Sequence, residues 1–72
     1  MRTFGDNLKE IQQTYGITAE FIARKAGYKK GTGSRYMTTN LVPKISTIIR
    51  FIEATPVPWT WSMYGYEIKK EK

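Results

Sequence analysis

Seventy-two residues, 40% hydrophobic and 25% charged with a net charge of +6, describe one globular domain with a single thin core. The chain has no cysteine and no histidine, which removes disulfides, thiolate nucleophiles, the usual general base and the commonest metal ligands; no enzyme activity, metal or cofactor is expected. No apolar run nears the ~18 residues of a membrane span, and the opening MRTFGDNLKE lacks a signal-peptide apolar region, so the expected location is the cytoplasm, with neither a membrane nor a small-molecule substrate as partner.

The charge is unevenly placed. From Phe21 to Ile52 there is no acidic residue, while Arg24, Lys25, Lys29, Lys30, Arg35, Lys44 and Arg50 all fall there. A one-signed segment flanked by mixed charge suits a polyanion surface. The plainer alternative is a solvated basic face with no partner.

The first helix is expected over about 3–15. Phe4, Leu8, Ile11 and Tyr15 follow a helical spacing, and Thr3 with Asp6 is a capping-box pair. Gly16 ends it. A second helix is expected over 18–26, with Thr18 as N-cap and Glu20 in its first turn. Ile22, Ala23 and Ala26 share one face, whose small residues admit another helix closely. Gly27 then supplies a tight turn, and Tyr28 folds back as a plug beneath it.

The third element, over 30–38, is poor in helix propensity. Gly31 and Gly33 each cost about 1 kcal/mol against alanine inside a helix, so a loop is the alternative. The spacing of Tyr36 from Tyr28 favours a short helix, as does the close backbone approach that glycine permits. Thr39 and Asn40 end it.

A fourth helix is expected over 43–54, with Pro43 in the first turn and an apolar stripe of Ile45, Ile48, Ile49 and Ile52. In VPWTWSMYG, Pro58 opens an expected fifth short helix over 58–64. One turn cannot bury Trp59, Trp61, Met63 and Tyr64 together; Trp61 is expected to close the core and the surplus to form a homodimer patch. Residues 67–72 make a charged, frayed tail. The expected domain, residues 1–66, is therefore all-α with five helices and a helix-turn-helix at the second and third.

This order resembles the Cro/phage-repressor family of helix-turn-helix domains, also called lambda-repressor-like or XRE-type. The resemblance runs through Phe4-Gly5, Leu8, Gly16-Ile17-Thr18, Ile22-Ala23, Ala26-Gly27-Tyr28, Arg35-Tyr36 and Pro43 with the isoleucines after it. It continues to a Val57, Trp61, Tyr64-Gly65 ending like that of phage and prophage regulators. It implies sequence-specific, nucleoid-associated binding of double-stranded DNA in the major groove, as a homodimer on a two-fold operator. By position, Lys30, Gly31, Thr32, Ser34 and Arg35 would face the groove, with Thr18 and the Thr38, Thr39, Asn40 loop near phosphates. Arg35 and Lys30 suit guanine, with a phosphate contact as the alternative for each, and Thr32 and Ser34 suit base edges. Arg24, Lys29 and Lys44 suit phosphates. The chain departs from the family at Ala19, where glutamine is usual, at Met37, where an acid is usual, and at Gly33, where valine or isoleucine anchors the helix. A short, weakly anchored recognition helix is therefore expected.

A phage- or prophage-type repressor is the leading reading. An accessory factor for recombination or excision and an autoregulating antitoxin share the same DNA-binding part. A protein-interaction module working through Trp59, Trp61 and Tyr64 is the alternative of a different class.

Overall fold

The aromatic segment decides the architecture. Trp59–Met63 is a strand, β1, paired antiparallel with Tyr66–Lys70, β2, so that Trp61 lies opposite Ile68 and Met63 opposite Tyr66. The expected fifth helix over 58–64 does not form, and the fold is not the all-α, five-helix domain. It is four helices followed by a two-stranded antiparallel sheet: α1 Phe4–Tyr15, α2 Ala19–Lys25, α3 Thr32–Thr38, α4 Ile45–Ala54, then β1 and β2. The computed structural model describes residues 1–39 and 41–70.

The reason is periodicity. Trp59, Trp61 and Met63 alternate with Thr60 and Ser62, a spacing of two that places the large side chains on one face of a strand. Trp61 and Met63 are fully buried and Thr60 is exposed. Tyr64 and Gly65 then take φ values of 51° and 88°. Two successive left-handed residues make the type I′ turn that matches the twist of a hairpin. Tyr64 is held in that conformation at both ends: its N–H donates to the Arg2 carbonyl at 3.0 Å, and its hydroxyl accepts from the Phe4 N–H at 3.2 Å. The four aromatic-segment residues thus divide differently from expectation. Trp61 and Met63 close the core, and Trp59 and Tyr64 pack against it half-buried. Of the surplus apolar surface expected here, Trp61 and Met63 are withdrawn into the core, while Trp59 and Tyr64 keep part of their surface exposed. The expected frayed tail likewise enters β2 as far as Lys70; residues 71 and 72 lie outside the described residues.

One side chain seals the hairpin onto α1. In a two-residue hairpin, Ser62 turns its N–H and C=O away from the partner strand. Asn7, fully buried, receives both: Ser62 N–H donates to Asn7 Oδ1 at 3.2 Å, and Asn7 Nδ2 donates to the Ser62 carbonyl at 2.8 Å. The same amide also donates to the Thr3 carbonyl at 3.0 Å and accepts from Trp59 Nε1 at 3.2 Å and Arg2 at 3.1 Å. It pairs with the strand edge as a third strand's peptide would.

The helices enclose one core. Phe4 is its centre, stacked on Trp61 at 5.6 Å and edge-on to Phe51 at 5.0 Å and Tyr36 at 5.4 Å. Thr3 and Asp6 form the capping box, and Gly16 closes α1 at φ 74°. Tyr15, expected in the buried stripe, is 45% exposed, with its ring 6.2 Å from that of Trp59. In α4 the covered stripe is Ile48, Phe51, Ile52 and Thr55 rather than Ile45, Ile48, Ile49 and Ile52. Phe51 fills the space between Phe4 and Tyr28, and this turns Ile45 and Ile49 outward. Lys44 stands at the N-cap of α4, so Pro43 precedes the helix instead of opening it. Among the described residues no helix is long and apolar enough to cross a membrane.

Candidate nucleic-acid interface

The helix-turn-helix geometry follows from three glycines and one carboxylate. After α2, Gly27 takes φ 93° and Tyr28 N–H donates back to the Ala23 carbonyl at 2.9 Å, which reverses the chain. Tyr28 tucks its ring against Phe51 at 5.4 Å, and the Arg50 guanidinium covers it at 5.6 Å. The Thr47 hydroxyl and then Arg50 draw the Tyr28 phenol below its ordinary range against the opposing effect of burial. Gly31, at φ 93°, is the N-cap of α3 and has no side chain with which to cap it.

Glu20 supplies that cap from the neighbouring helix. Its two carboxylate oxygens accept from the N–H of Gly31 at 3.0 Å and of Ser34 at 3.2 Å. These are the backbone N–H groups of the N-cap and of the third helical residue, the two positions a capping box satisfies within one helix; here α2 satisfies them for α3. The Gly31 N–H, followed by that of Ser34, holds the Glu20 carboxyl below the usual carboxylate range. A depressed native value means this stabilisation is present above the ordinary carboxylate range and is lost as pH falls through the lower native one. Glu20→Gln is expected to cost about 1 kcal/mol at neutral pH. The gap to the wild type should close below the ordinary value of 4.5 in pH-dependent thermal melts. A gap that held constant down into acid would refute the carboxylate's role.

Gly33 is the second contact. It is buried where α3 crosses α2, and a Cβ there would stand 2.5 Å from the Ala19 carbonyl carbon and 2.8 Å from the Glu20 nitrogen. The expectation that Gly33 leaves α3 poorly anchored is reversed: the missing side chain is what lets α3 seat on the backbone of Ala19, itself buried. The small residue at 19 and the glycine at 33 are one packing solution. Propensity penalises Gly33, and nothing local in the sequence announces Glu20 as a cap eleven residues ahead of Gly31.

The expected site residues fall into three groups. Lys29 and Lys30 are exposed in the turn before α3, which begins at Thr32 and not at 30. Thr32 and Arg35, one turn apart, line a groove of about 400 Å³ with Leu41, Val42 and Lys44. On the other side of α3, Ser34 and Thr38 share a groove of about 350 Å³ with Thr18 and Gln12. The helix is thus a ridge with Arg35 on one flank and Ser34 on the other. Thr18 caps α2 by accepting from the Phe21 N–H at 3.1 Å, which leaves its own O–H able to donate. Thr38 and Thr39 are committed elsewhere: their hydroxyls donate to the Ser34 carbonyl at 3.1 Å and the Arg35 carbonyl at 2.8 Å, closing the C-terminal end of α3. Arg24 is exposed in the last turn of α2 and lines neither groove. Asn40 lies outside the described residues.

Electrostatically the surface has one sign. Among the described residues the only salt bridge joins Arg2 to Glu10, remote in sequence from α3. Lys29, Lys30, Arg35 and Lys44 are all exposed, and the acid that meets α3, Glu20, is turned onto its backbone donors. The chain matches no protein-family model, no curated protein and no solved structure.

Proposed function

We propose that this chain is a sequence-specific double-stranded DNA-binding regulator of transcription, of the helix-turn-helix kind the Cro/phage-repressor resemblance implies, with α3 placed in the major groove. One observation carries the reading. A short helix lies between two grooves, rimmed by four cations with no ion-pair partner among the described residues, and the acid that meets it, Glu20, is spent as its cap. An α-helix with its side chains is about 10–12 Å across, which a major groove about 12 Å wide admits.

In this reading Arg35 donates to guanine O6 and N7 from one flank of α3, and Thr32 beside it meets a base edge. Ser34 reads from the other flank. Lys30 reaches the groove from the turn. Lys29, Lys44, Arg24 and the Thr18 O–H hold phosphates and fix the register. Because α3 is held by Glu20 and by Gly33 on Ala19, its exposed side chains are presented in one orientation.

Binding-site selection from random duplexes is the test. Arg35→Ala is expected to cost about 1–3 kcal/mol and to relax preference at one base pair, whereas Lys44→Ala weakens all sequences alike. Four phosphate contacts per copy give a slope of log K against log salt of about −7 for two copies. Selection that yields no consensus, or an Arg35→Ala variant with unaltered preference, would reject the assignment of α3.

A further inference from the structure

The two grooves beside α3 differ in their chemistry. The groove on the Arg35 flank is cationic, with Arg35 and Lys44 exposed in its walls. The groove of about 350 Å³ on the Ser34 flank has no lysine or arginine in its lining among the described residues. Its polar groups come from Gln12 on α1, Thr18, Glu20, Ser34 and Thr38. Glu20 is engaged at both oxygens by α3, and the Thr38 hydroxyl donates to the Ser34 carbonyl. Ser34 already belongs to the proposed base-reading set. Gln12 and Thr18 remain, both exposed. The Gln12 carbonyl accepts from the Gly16 N–H at the end of α1, while its side-chain amide makes no hydrogen bond among the described residues.

We infer that this groove seats the sugar-phosphate backbone of one DNA strand, with the Gln12 amide donating to a phosphate oxygen beside the Thr18 hydroxyl. The inference rests on the placement of α3 in the major groove and adds to it a residue and a kind of contact. The walls of the major groove are the two backbones, so a helix laid in it has one strand's phosphates along each flank. The two grooves beside α3 therefore receive different strands. On the Arg35 flank the strand meets Lys44, whose charge releases counterions. On the Ser34 flank no such cation lines the groove, and the Glu20 carboxylate adds a like charge, reduced by the two N–H groups from which it accepts. A phosphate is held there by neutral donors. Gln12 supplies an amide with two N–H groups, and glutamine and threonine contacts of this kind position a duplex without reading it. One strand is thus held by charge and the other by neutral hydrogen bonds, which release no counterions and leave the second contact insensitive to salt.

Salt titrations of binding, to the selected duplex and to one of random sequence, separate the two strands. Gln12→Ala is expected to weaken binding about two- to tenfold per copy at every salt concentration, with the slope of log K against log salt unchanged. Lys44→Ala should instead make the slope shallower by about 0.9 per copy. Gln12→Lys places a cation beside the phosphate; it should steepen the slope by about 0.9 per copy and tighten binding at low salt. Gln13→Lys is the control. Gln13 is the exposed neighbour of Gln12 on α1 and lines neither groove, so it should steepen the slope far less. A merely structural role for Gln12 cannot give the gain with lysine. Gln12→Ala that binds like the wild type overturns the inference. So does Gln12→Ala with the shallower slope of Lys44→Ala, or a Gln12→Lys slope no steeper than that of Gln13→Lys. The two readings fail separately. A sequence preference that depends on Arg35, with Gln12 variants indistinguishable from the wild type, keeps the regulator and rejects this contact. Duplex binding without sequence preference, in which Gln12→Lys still steepens the slope, rejects the regulator and keeps the contact. A wild type that binds neither duplex overturns both.

Discussion

Gly33→Ala is expected to destabilise the protein by about 3 kcal/mol, at the upper end for overpacking, although alanine is the better helix former by about 1 kcal/mol. The Cβ would meet the backbone of Ala19 and Glu20, at 2.5 Å from the Ala19 carbonyl carbon, and backbone has no alternative rotamer. Relief requires α3 to lift from α2. That movement would also draw Gly31 and Ser34 away from the Glu20 carboxylate, so packing and capping fail together. Urea unfolding measures the loss. Gly31→Ala is the control: it sits at φ 93° with nothing within 4 Å of its Cβ. It should cost only the left-handed penalty of about 1–2 kcal/mol. A Gly33→Ala variant as stable as the wild type would mean that α3 is not seated on Ala19.

Asn7→Leu should cost about 3–4 kcal/mol, because three backbone groups and two side-chain donors lose their partner in one substitution. Leucine approximates the volume but leaves the Ser62 N–H and C=O unpaired at a covered strand edge. Asn7→Asp separates the two halves of the role. It keeps the acceptor for Ser62, Trp59 and Arg2 but turns an oxygen toward the Thr3 and Ser62 carbonyls, so it should remain destabilising despite its near-identical shape. Near-ultraviolet dichroism will follow Trp59 and Trp61 as the hairpin loosens, and urea unfolding gives the magnitude. A loss below about 1 kcal/mol for Asn7→Leu would show that water replaces the amide.

Most of the helical framework was legible because its signals are local. Thr3 with Asp6 and Gly16 bracket α1, Thr18 opens α2, and Gly27 turns the chain; each acts within a few residues of its own backbone. The hairpin was legible as well, in the alternation of Trp59, Trp61 and Met63 with Thr60 and Ser62 ahead of Tyr64-Gly65. The expectation of a fifth helix rests on Pro58 as its opening residue and on a cluster of four large side chains counted without its period. The stripe of α4 was misassigned for a related reason. Four isoleucines and Phe51 offer two overlapping helical stripes, and only the position of Phe4 and Tyr28 selects the one containing Phe51.

The sequence by itself determined the bracketing of the first two helices, the one-signed charge of the central segment, the absence of histidine and cysteine chemistry, and the supply of basic and hydroxyl side chains around the third helix. Tertiary structure alone decided what holds those side chains in place. Glu20 caps a helix other than its own, Gly33 is valuable for the atom it lacks, and Asn7 completes a strand 55 residues away. The physical reason is common to all three. Propensity and periodicity report a residue's relation to its neighbours along the chain, whereas a cap in trans, a backbone-to-backbone seat and a sealed strand edge depend on groups that only folding brings together.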